Sequence, residues 1–238
     1  MSAPARDLPR RATAEFVGTA FLVAGVVGSG IMATRLSPDD VGLQLLQNSI
    51  ATGAILVALI LTLQPVSASF NPVITGIEAA LGAISWREAA ALSTAQVAGG
   101  ITGSVAANLM FDLDAVSFAT TDRTGGGLWL AEVVATLGLA LIVFGGIRTG
   151  RTETVAFAVS GYIAAAYWFT ASTSFANPAV TIGRIFSDTF AGIDPASVPV
   201  FLAMQVVGGA AAYALVRYLY PSFTRDDVAD PTTGRGPG

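Results

Sequence analysis

The residue pair Asn-Pro occurs twice in this sequence, each time before a short apolar stretch. The copies are Asn71-Pro72-Val73 and Asn177-Pro178-Ala179. Asparagine is a strong N-cap residue, and proline is favoured at the first helical position, where its missing N–H costs nothing. Each pair therefore predicts the start of a short helix whose N-terminus carries partial positive charge. Two such ends could bind a polar solute and repel a cation.

The rest of the sequence offers little catalytic chemistry. It contains no Cys and no His, and all 12 basic residues are arginines. Thiol nucleophiles, Ser–His pairs, zinc–histidine sites and lysine Schiff bases are therefore excluded. No pair of acids is placed for an intramembrane protease. The sequence predicts no enzyme, no metal site and no cofactor, and it lacks the basic stripe that nucleic acid requires.

The elements that must position the Asn-Pro pairs are long apolar segments. Hydrophobic residues make up 53% of the chain, and charged residues only 12%. Six segments are long enough to cross a bilayer as helices, at roughly 12–33, 42–63, 87–110, 128–148, 153–171 and 197–219. The stretches that follow the Asn-Pro pairs end near residues 82 and 186 and are too short to span. They predict two re-entrant half-helices. Residues 227–238 are predicted to form a disordered tail.

The two halves of the chain repeat three motifs in the same order. The pairs are AEFVGT at 14–19 with AEVVAT at 131–136, NPVIT at 71–75 with NPAVT at 177–181, and QVAGG at 96–100 with QVVGG at 205–209. Each half, about 12–110 and 128–219, contains three spans. Because three is odd, the second half must enter the membrane from the opposite side, which makes this an inverted repeat. The two half-helix N-termini are then expected to meet near the midplane.

The arginines predict the orientation of the chain. Nine of them fall in segments on the side of the N-terminus, and three, at positions 35, 123 and 184, fall on the other side. The positive-inside rule places the first group in the cytoplasm. An even number of spans requires both termini on one side. The prediction is a multi-pass protein of the plasma membrane with both termini cytoplasmic.

In their order and spacing these motifs resemble the major intrinsic protein family, the aquaporins and aquaglyceroporins. The resemblance runs from residue 14 to about 215. It implies one channel domain over 1–226, with six tilted helices and two half-helices, assembled as a homotetramer. In that family the equivalents of Glu15 and Glu132 accept hydrogen bonds from the non-helical backbone that leads into the half-helices. Their symmetric placement here favours this structural role over a proton relay.

Two positions depart from the family pattern. Val73 stands where the family usually has Ala, and Val180 replaces the Arg that usually forms the outer selectivity filter, three residues after Asn177. Carrying the filter over residue by residue gives Ser174, with one further position in span two and one in span five. Thr52 and Tyr167 are the first choices for these two positions. The alternatives are Ala51 and Ala165.

Arg184 lies four residues after Val180, on the same face of the predicted half-helix. It could supply positive charge to the outer vestibule, about 6 Å beyond the missing filter Arg. Alternatively, it caps the half-helix C-terminus and pairs with Asp188. The two interpretations differ in whether this cation faces the solute.

A Val filter is less polar than an Arg filter and is expected to be wider. The sequence therefore predicts a passive channel for water and small uncharged solutes, such as glycerol or metalloid acids like arsenite. In carrying Val at this position, the sequence resembles bacterial aquaporin-like channels that are associated with arsenic resistance. The alternatives are a strictly water-selective channel and a secondary transporter built on an inverted repeat. The predicted partners are the lipid bilayer and further copies of the chain.

Overall fold

Over residues 7–150 and 152–221, the part that the computed structural model describes, the regular secondary structure is all helix, joined by loops. The helices are α1 Leu8–Leu36, α2 Val41–Leu63, α3 Pro72–Ala80, α4 Trp86–Met110, α5 Gly126–Arg148, α6 Thr152–Phe169, α7 Pro178–Gly183 and α8 Val198–Leu219. The predicted tail at 227–238 lies outside the described residues. Helices form at the positions of all six predicted spans and both predicted half-helices, with their ends shifted by a few residues.

Four of the long helices are both long and apolar enough to cross a membrane: α1, α2, α5 and the segment Pro195–Leu219 that contains α8. Helix α6 has an apolar core but only 18 residues. Helix α4 has 25 residues, and its Gly, Ser, Thr, Gln and Asn residues lower its hydropathy. The glycines have a packing purpose, because α4 crosses α1 backbone to backbone. A Cβ added to Gly99 or Gly103 would collide with the carbonyl groups of Phe16 and Ala20 on α1.

Local signals explain where the helices begin. Asn71 and Asn177 cap α3 and α7 with their side-chain oxygens, and a proline occupies the first turn of each. Helix α4 opens with a capping box in which Ser85 and Glu88 satisfy each other's backbone N–H groups. Helix α7 is short because its last turn tightens into a 3₁₀ turn over Arg184–Phe186.

The packing of the helices follows a two-fold pattern that equates α1 with α5, α2 with α6, α3 with α7, and α4 with α8. Helix α1 packs on α4 and α2, as α5 packs on α8 and α6. Helix α2 packs on α6, its own equivalent. Each half-helix contacts the last long helix of both halves, so that α3 lies against α4 and α8, and α7 lies against α8 and α4. The half-helices are therefore enclosed by the bundle and meet each other at its centre.

Candidate functional site

The two Asn-Pro motifs meet through reciprocal hydrogen bonds. The Nδ2 atom of Asn71 donates to the carbonyl oxygen of Ala176 at 2.8 Å, and Nδ2 of Asn177 donates to the carbonyl oxygen of Phe70 at 2.7 Å. Each accepting carbonyl belongs to the residue immediately before the opposite asparagine. Both asparagine side chains also cap their own helices through Oδ1. Each side chain thus joins one half of the chain to the other.

The two accepting residues adopt the same unusual backbone conformation. Phe70 has φ of 47° and Ala176 has φ of 48°, in the left-handed region that residues other than glycine seldom occupy. Each costs on the order of 1 kcal/mol and must be held by its surroundings. The hold comes from buried carboxylates. Glu15 accepts from the N–H of Phe70 at 2.7 Å, and Glu132 accepts from that of Ala176 at 2.9 Å.

Glu15 binds the whole loop that leads into α3. Its two oxygens also accept from the hydroxyl of Ser67, the N–H of Ser69 and the amide of Gln96. The Gln96 amide in turn donates to the hydroxyl of Thr75 on α3 at 2.9 Å. Glu15 is fully buried, and its contacts are those of a structural clamp.

Glu132 does the same for the loop that leads into α7. It accepts from the N–H of Phe175 at 3.0 Å and from the amide of Gln205 at 2.6 Å. That amide also donates to the hydroxyl of Thr181, which itself donates to the carbonyl of Asn177. Neither carboxylate lines the main cavity of the molecule, the lumen. Sequence reasoning missed the two glutamines as partners of the acids, although the QV-x-GG repeat places them at equivalent positions.

A cavity of about 1050 Å³ runs past both asparagines and connects the start of α1 with Arg184. Its lining includes the apolar residues Leu22, Val26, Ile60, Ile74, Leu139, Val143, Val159 and Ile163. The Asn71 and Asn177 side chains and the backbone beside them add polar groups to the lining. Each Asn Nδ2 carries two hydrogens and donates one in the reciprocal bond, so the other can be donated to a solute. Such a lumen suits a small solute with hydroxyl groups and a carbon skeleton.

The four predicted filter residues all line this cavity: Thr52, Tyr167, Ser174 and Val180. The Oγ1 atom of Thr52 lies 3.0 Å from the hydroxyl of Tyr167, within hydrogen-bonding distance. The alternatives, Ala51 and Ala165, do not line it, and Ala165 is exposed on the outside of the bundle. Val73 packs against α8, where a Cβ on Gly209 would collide with its Cγ1 atom. The side chain of Val73, which is larger than Ala, therefore leaves intact the reciprocal hydrogen bonds of Asn71 and Asn177, the asparagine bridge.

Arg184 is buried and faces the lumen, and it does not pair with Asp188. Its Nε donates to the carbonyl of Ala191, and its guanidinium carbon lies 3.5 Å from the centroid of the Phe175 ring. Asp188 instead accepts from the N–H and hydroxyl of Thr120 at 2.9 and 3.1 Å. The predicted ion pair is wrong because α7 ends at Gly183, and the tightened turn sends the chain away before residue 188.

A second, smaller cavity of about 210 Å³ adjoins the first at Arg184, which lines both. Arg123, from the loop between α4 and α5, also lines it and lies 4.9 Å from the Phe175 ring. Burial lowers the pKa of the Arg123 guanidinium from its ordinary value, and the charge of Glu132 opposes that shift. Sequence reasoning missed Phe175 and Arg123. The repeat could have drawn attention to Phe175, because its equivalent is Ser69.

Comparison with known proteins agrees with this geometry. The sequence pattern of the family described as "Major intrinsic protein" matches residues 4–154 and 129–235. The chain is 51% identical over 214 residues to the aquaglyceroporin AqpS of Rhizobium meliloti (strain 1021), covering 90% of this chain and 91% of that protein. Its fold matches the crystal structure of the aquaglyceroporin from Plasmodium falciparum with a TM-score of 0.66 and 17% identity, over 90% of this chain and 96% of that one.

The family match extends over both halves of the chain, and the relative covers nearly its whole length. The bundle, the inverted repeat and the paired half-helices are the structural counterpart of that match. The chain belongs to the major intrinsic protein family and is a multi-pass membrane channel.

Proposed function

We propose that this chain is a passive channel for water and small uncharged solutes, with glycerol among them. The reciprocal bond between the two half-helix N-termini, inside a cavity that runs past both, is the observation that carries the proposal. The relative of 51% identity is named an aquaglyceroporin. The lumen has the matching character, because its lining combines many apolar side chains with the amide and hydroxyl groups of residues such as Asn71, Asn177 and Thr52.

The centre of the pore is built to exclude cations. Two helix N-termini point their partial positive charge at the asparagine bridge, and the polar groups there are neutral. A cation that reaches this point meets two repulsive dipole ends and loses its hydration shell. A hydroxyl group, by contrast, can accept from the remaining Nδ2–H of Asn71 or Asn177.

Solutes larger than water are expected to pass the outer filter. Val180 contributes two methyl groups where an Arg would contribute a charge and five hydrogen-bond donors. Thr52, Tyr167 and Ser174 leave hydroxyl groups on the remaining sides. This combination tolerates a polyol and, as the finer proposal, an uncharged metalloid acid such as arsenite.

A coupled transporter is the less favoured second function. Ion coupling usually requires a titratable group at the solute site. Glu15 and Glu132, the acids inside the spans, are fully buried and bound to backbone N–H groups and glutamine amides, and they do not line the main cavity. Glu78 does line it, but near the C-terminal end of α3, away from the asparagine bridge. Flux that an uncoupler leaves unchanged supports the channel.

The remaining proposals concern the setting of the pore. Asymmetry of the arginines favours cytoplasmic termini in a bacterial plasma membrane. Large apolar side chains are exposed on the outside of the bundle, among them Phe21, Ile50, Leu130 and Phe157. They are suited to contact with lipid or with other subunits of a homotetramer.

The decisive experiment compares water, glycerol and arsenite flux in proteoliposomes for the wild type and Val180→Arg. We expect glycerol and arsenite flux to fall about tenfold, equivalent to a barrier increase of about 1.4 kcal/mol, while water flux falls less. Val180→Leu is the matched control, since it adds volume without charge and should reduce glycerol flux less than Arg does. Wild-type vesicles that pass water but neither glycerol nor arsenite would establish the strictly water-selective alternative.

A further inference from the structure

The small cavity beyond the filter is lined by two arginines and by no acidic residue. This cavity, called the vestibule below, is lined by Arg123 and Arg184 together with Thr173, Val41 and Phe190, among others. Both guanidinium carbons lie over the same Phe175 ring, at 4.9 and 3.5 Å from its centroid. The two cations can therefore be no farther apart than the sum of those distances.

The two side chains are held in place by consecutive backbone carbonyls. Nε of Arg184 donates to Ala191, and Nε of Arg123 donates to Gly192 at 3.0 Å. These bonds and the shared ring fix both guanidinium planes. Within residues 7–150 and 152–221, neither arginine has a carboxylate oxygen within 4.0 Å. Because each Nε is already bound to a carbonyl oxygen, the Nη atoms are the groups that could contact a ligand in the vestibule.

The acids in this region are engaged elsewhere. Glu132 accepts from the N–H groups of Phe175 and Ala176 and from Gln205. Asp188 is bound to Thr120, and Asp122 is bound to Thr124 and Ser197. Two buried or half-buried cations close together repel each other, and an anion between them relieves that repulsion.

We propose that Arg123 and Arg184 form a binding site for a small oxyanion in the vestibule, and that an anion bound there obstructs the solute path. A guanidinium offers paired N–H groups in a fork that matches two oxygens of a phosphate-like anion. The cavity of about 210 Å³ admits an anion of a few atoms with some water but excludes a nucleotide. Because Arg184 also lines the main cavity, the bound anion lies at the outer end of the pore. The inhibition, but not the binding, rests on the proposed channel function.

The test measures binding and flux separately, with inorganic phosphate as the probe at pH 7. In lipid-free detergent micelles, phosphate at about ten times its Kd should raise the unfolding temperature by about 3 °C. In proteoliposomes with phosphate on both sides, glycerol flux should fall to about half at a concentration equal to that Kd, on the order of 1–10 mM. Chloride at equal ionic strength separates binding from screening.

Arg123→Gln should abolish both responses, and Arg123→Lys, which keeps the charge but loses the fork, should weaken them several-fold. Arg35→Gln is the matched control. Arg35 also lies over a ring, that of Phe111, and donates to a backbone carbonyl, but it does not line the vestibule. This variant should respond like the wild type.

Wild-type protein that passes glycerol but shows neither phosphate response would overturn the proposal, as would an Arg123→Gln variant as sensitive as the wild type. A response to short-chain phosphatidylglycerol but not to inorganic phosphate would assign the site to a lipid headgroup and also overturn it. Absence of any solute flux would instead contradict the channel function, and the unfolding measurement would still decide whether the anion binds.

Discussion

The two half-helices are nearly identical where they meet and different where they end. At the centre, Asn71 and Asn177 exchange bonds that differ in length by 0.1 Å, and the residues before them share one φ within a degree. Each approach loop is held by one buried glutamate and one glutamine. Symmetry at this point balances the two dipoles around the solute.

Toward the mouths the equivalence breaks down. An offset of 106 residues pairs Ser69 with Phe175 and Glu78 with Arg184. In the first half the hydroxyl of Ser69 donates to the Glu78 carboxylate at 2.9 Å, whereas in the second half the Phe175 ring lies against the Arg184 guanidinium. The same two backbone positions therefore give opposite charges at the two ends of the lumen. Symmetry is retained at the centre of the pore and lost where its ends face different compartments.

The largest loss of stability is expected on replacing Glu15 or Glu132, the buried carboxylates at equivalent positions in the two halves. Glu15→Gln and Glu132→Gln each place an amide donor against backbone N–H groups that need an acceptor. Hydrogen bonds to a charged group contribute about 1.5–3 kcal/mol each, so each variant should lose about 3–5 kcal/mol of stability. Because Glu15 accepts from four donors and Glu132 from three, Glu15→Gln should be the more damaging.

Thermal unfolding of the purified proteins and the yield of monodisperse protein would measure this difference. The matched control is Asp40→Asn at the exposed N-cap of α2, where the carboxylate accepts from the N–H of Leu43, a bond that Asn can also accept; this variant should lose about 0.5 kcal/mol or less. Equal stability of wild type and Glu132→Gln would mean that the loop before α7 is held by other contacts.

A smaller loss of stability is expected from added side chains where a half-helix lies close to a long helix. A Cβ on Gly183 would lie 2.7 Å from the carbonyl oxygen of Gly100, which is backbone and cannot move aside. A Cβ on Gly209 would clash only with the Val73 side chain, and would make an ordinary contact with Ile77 at 3.8 Å. Gly183→Ala should therefore cost about 2–3 kcal/mol and reduce flux, as overpacking does.

Gly209→Ala should cost less, and Val73→Ala in the same chain should restore most of the loss, since it removes the methyl group in the way. Thermal unfolding and glycerol flux, measured on the same variants, check the predictions for Gly183 and for Gly209. A Gly183→Ala variant no worse than Gly209→Ala would show that α7 and α4 can separate without cost.

Removing the opposite charges at the mouths should have smaller effects and of different kinds. Arg184→Gln takes a buried cation from one end of the lumen, so cation leak should rise about tenfold, equivalent to about 1.4 kcal/mol. Glu78→Gln should raise anion leak by less, because the half-buried Glu78 is better screened by water. Ionic current across planar bilayers measures both, with Arg35→Gln as the control. If the Arg184→Gln variant and the wild type had equal cation leak, Arg184 would not contribute to cation exclusion, and the helix dipoles alone would account for it.

Local signals were enough to predict the framework. The length of the apolar segments fixes six spans, and Asn-Pro fixes two helix starts, because capping and the bilayer thickness act within a few residues. The inverted repeat then places the two asparagines together. None of this depends on how any helix is rotated about its axis.

The choice of filter residues and the surroundings of Arg184 were harder to predict. The first depends on how each helix is rotated about its axis, and the second depends on where α7 ends. Thr52 and Ala51 differ by one residue, hence by about 100° around α2, and periodicity in a helix that contacts both lipid and lumen leaves that choice open. Arg184 and Asp188 have the four-residue spacing of a helical ion pair. The pair does not form because α7 ends one residue before Arg184, and the packing of Phe175 and of the loop at 187–194 decides where the arginine points.

The smallest effect expected is that of a single hydroxyl group in the filter. The Tyr167 hydroxyl lies 3.0 Å from Oγ1 of Thr52, and both side chains line the lumen. Tyr167→Phe removes a neutral hydrogen bond of about 0.5–1.5 kcal/mol but leaves the ring in place, and Thr52 can then bind the solute instead. Glycerol flux should change by about twofold, with water flux nearly unchanged, in stopped-flow measurements on proteoliposomes. Tyr162→Phe, whose hydroxyl bonds backbone carbonyls of α5 outside the lumen, is the matched control and should leave the ratio of glycerol to water flux as it is. If Tyr167→Phe also left that ratio unchanged, the discrimination would lie at Val180 and the vestibule rather than at the Thr52–Tyr167 pair.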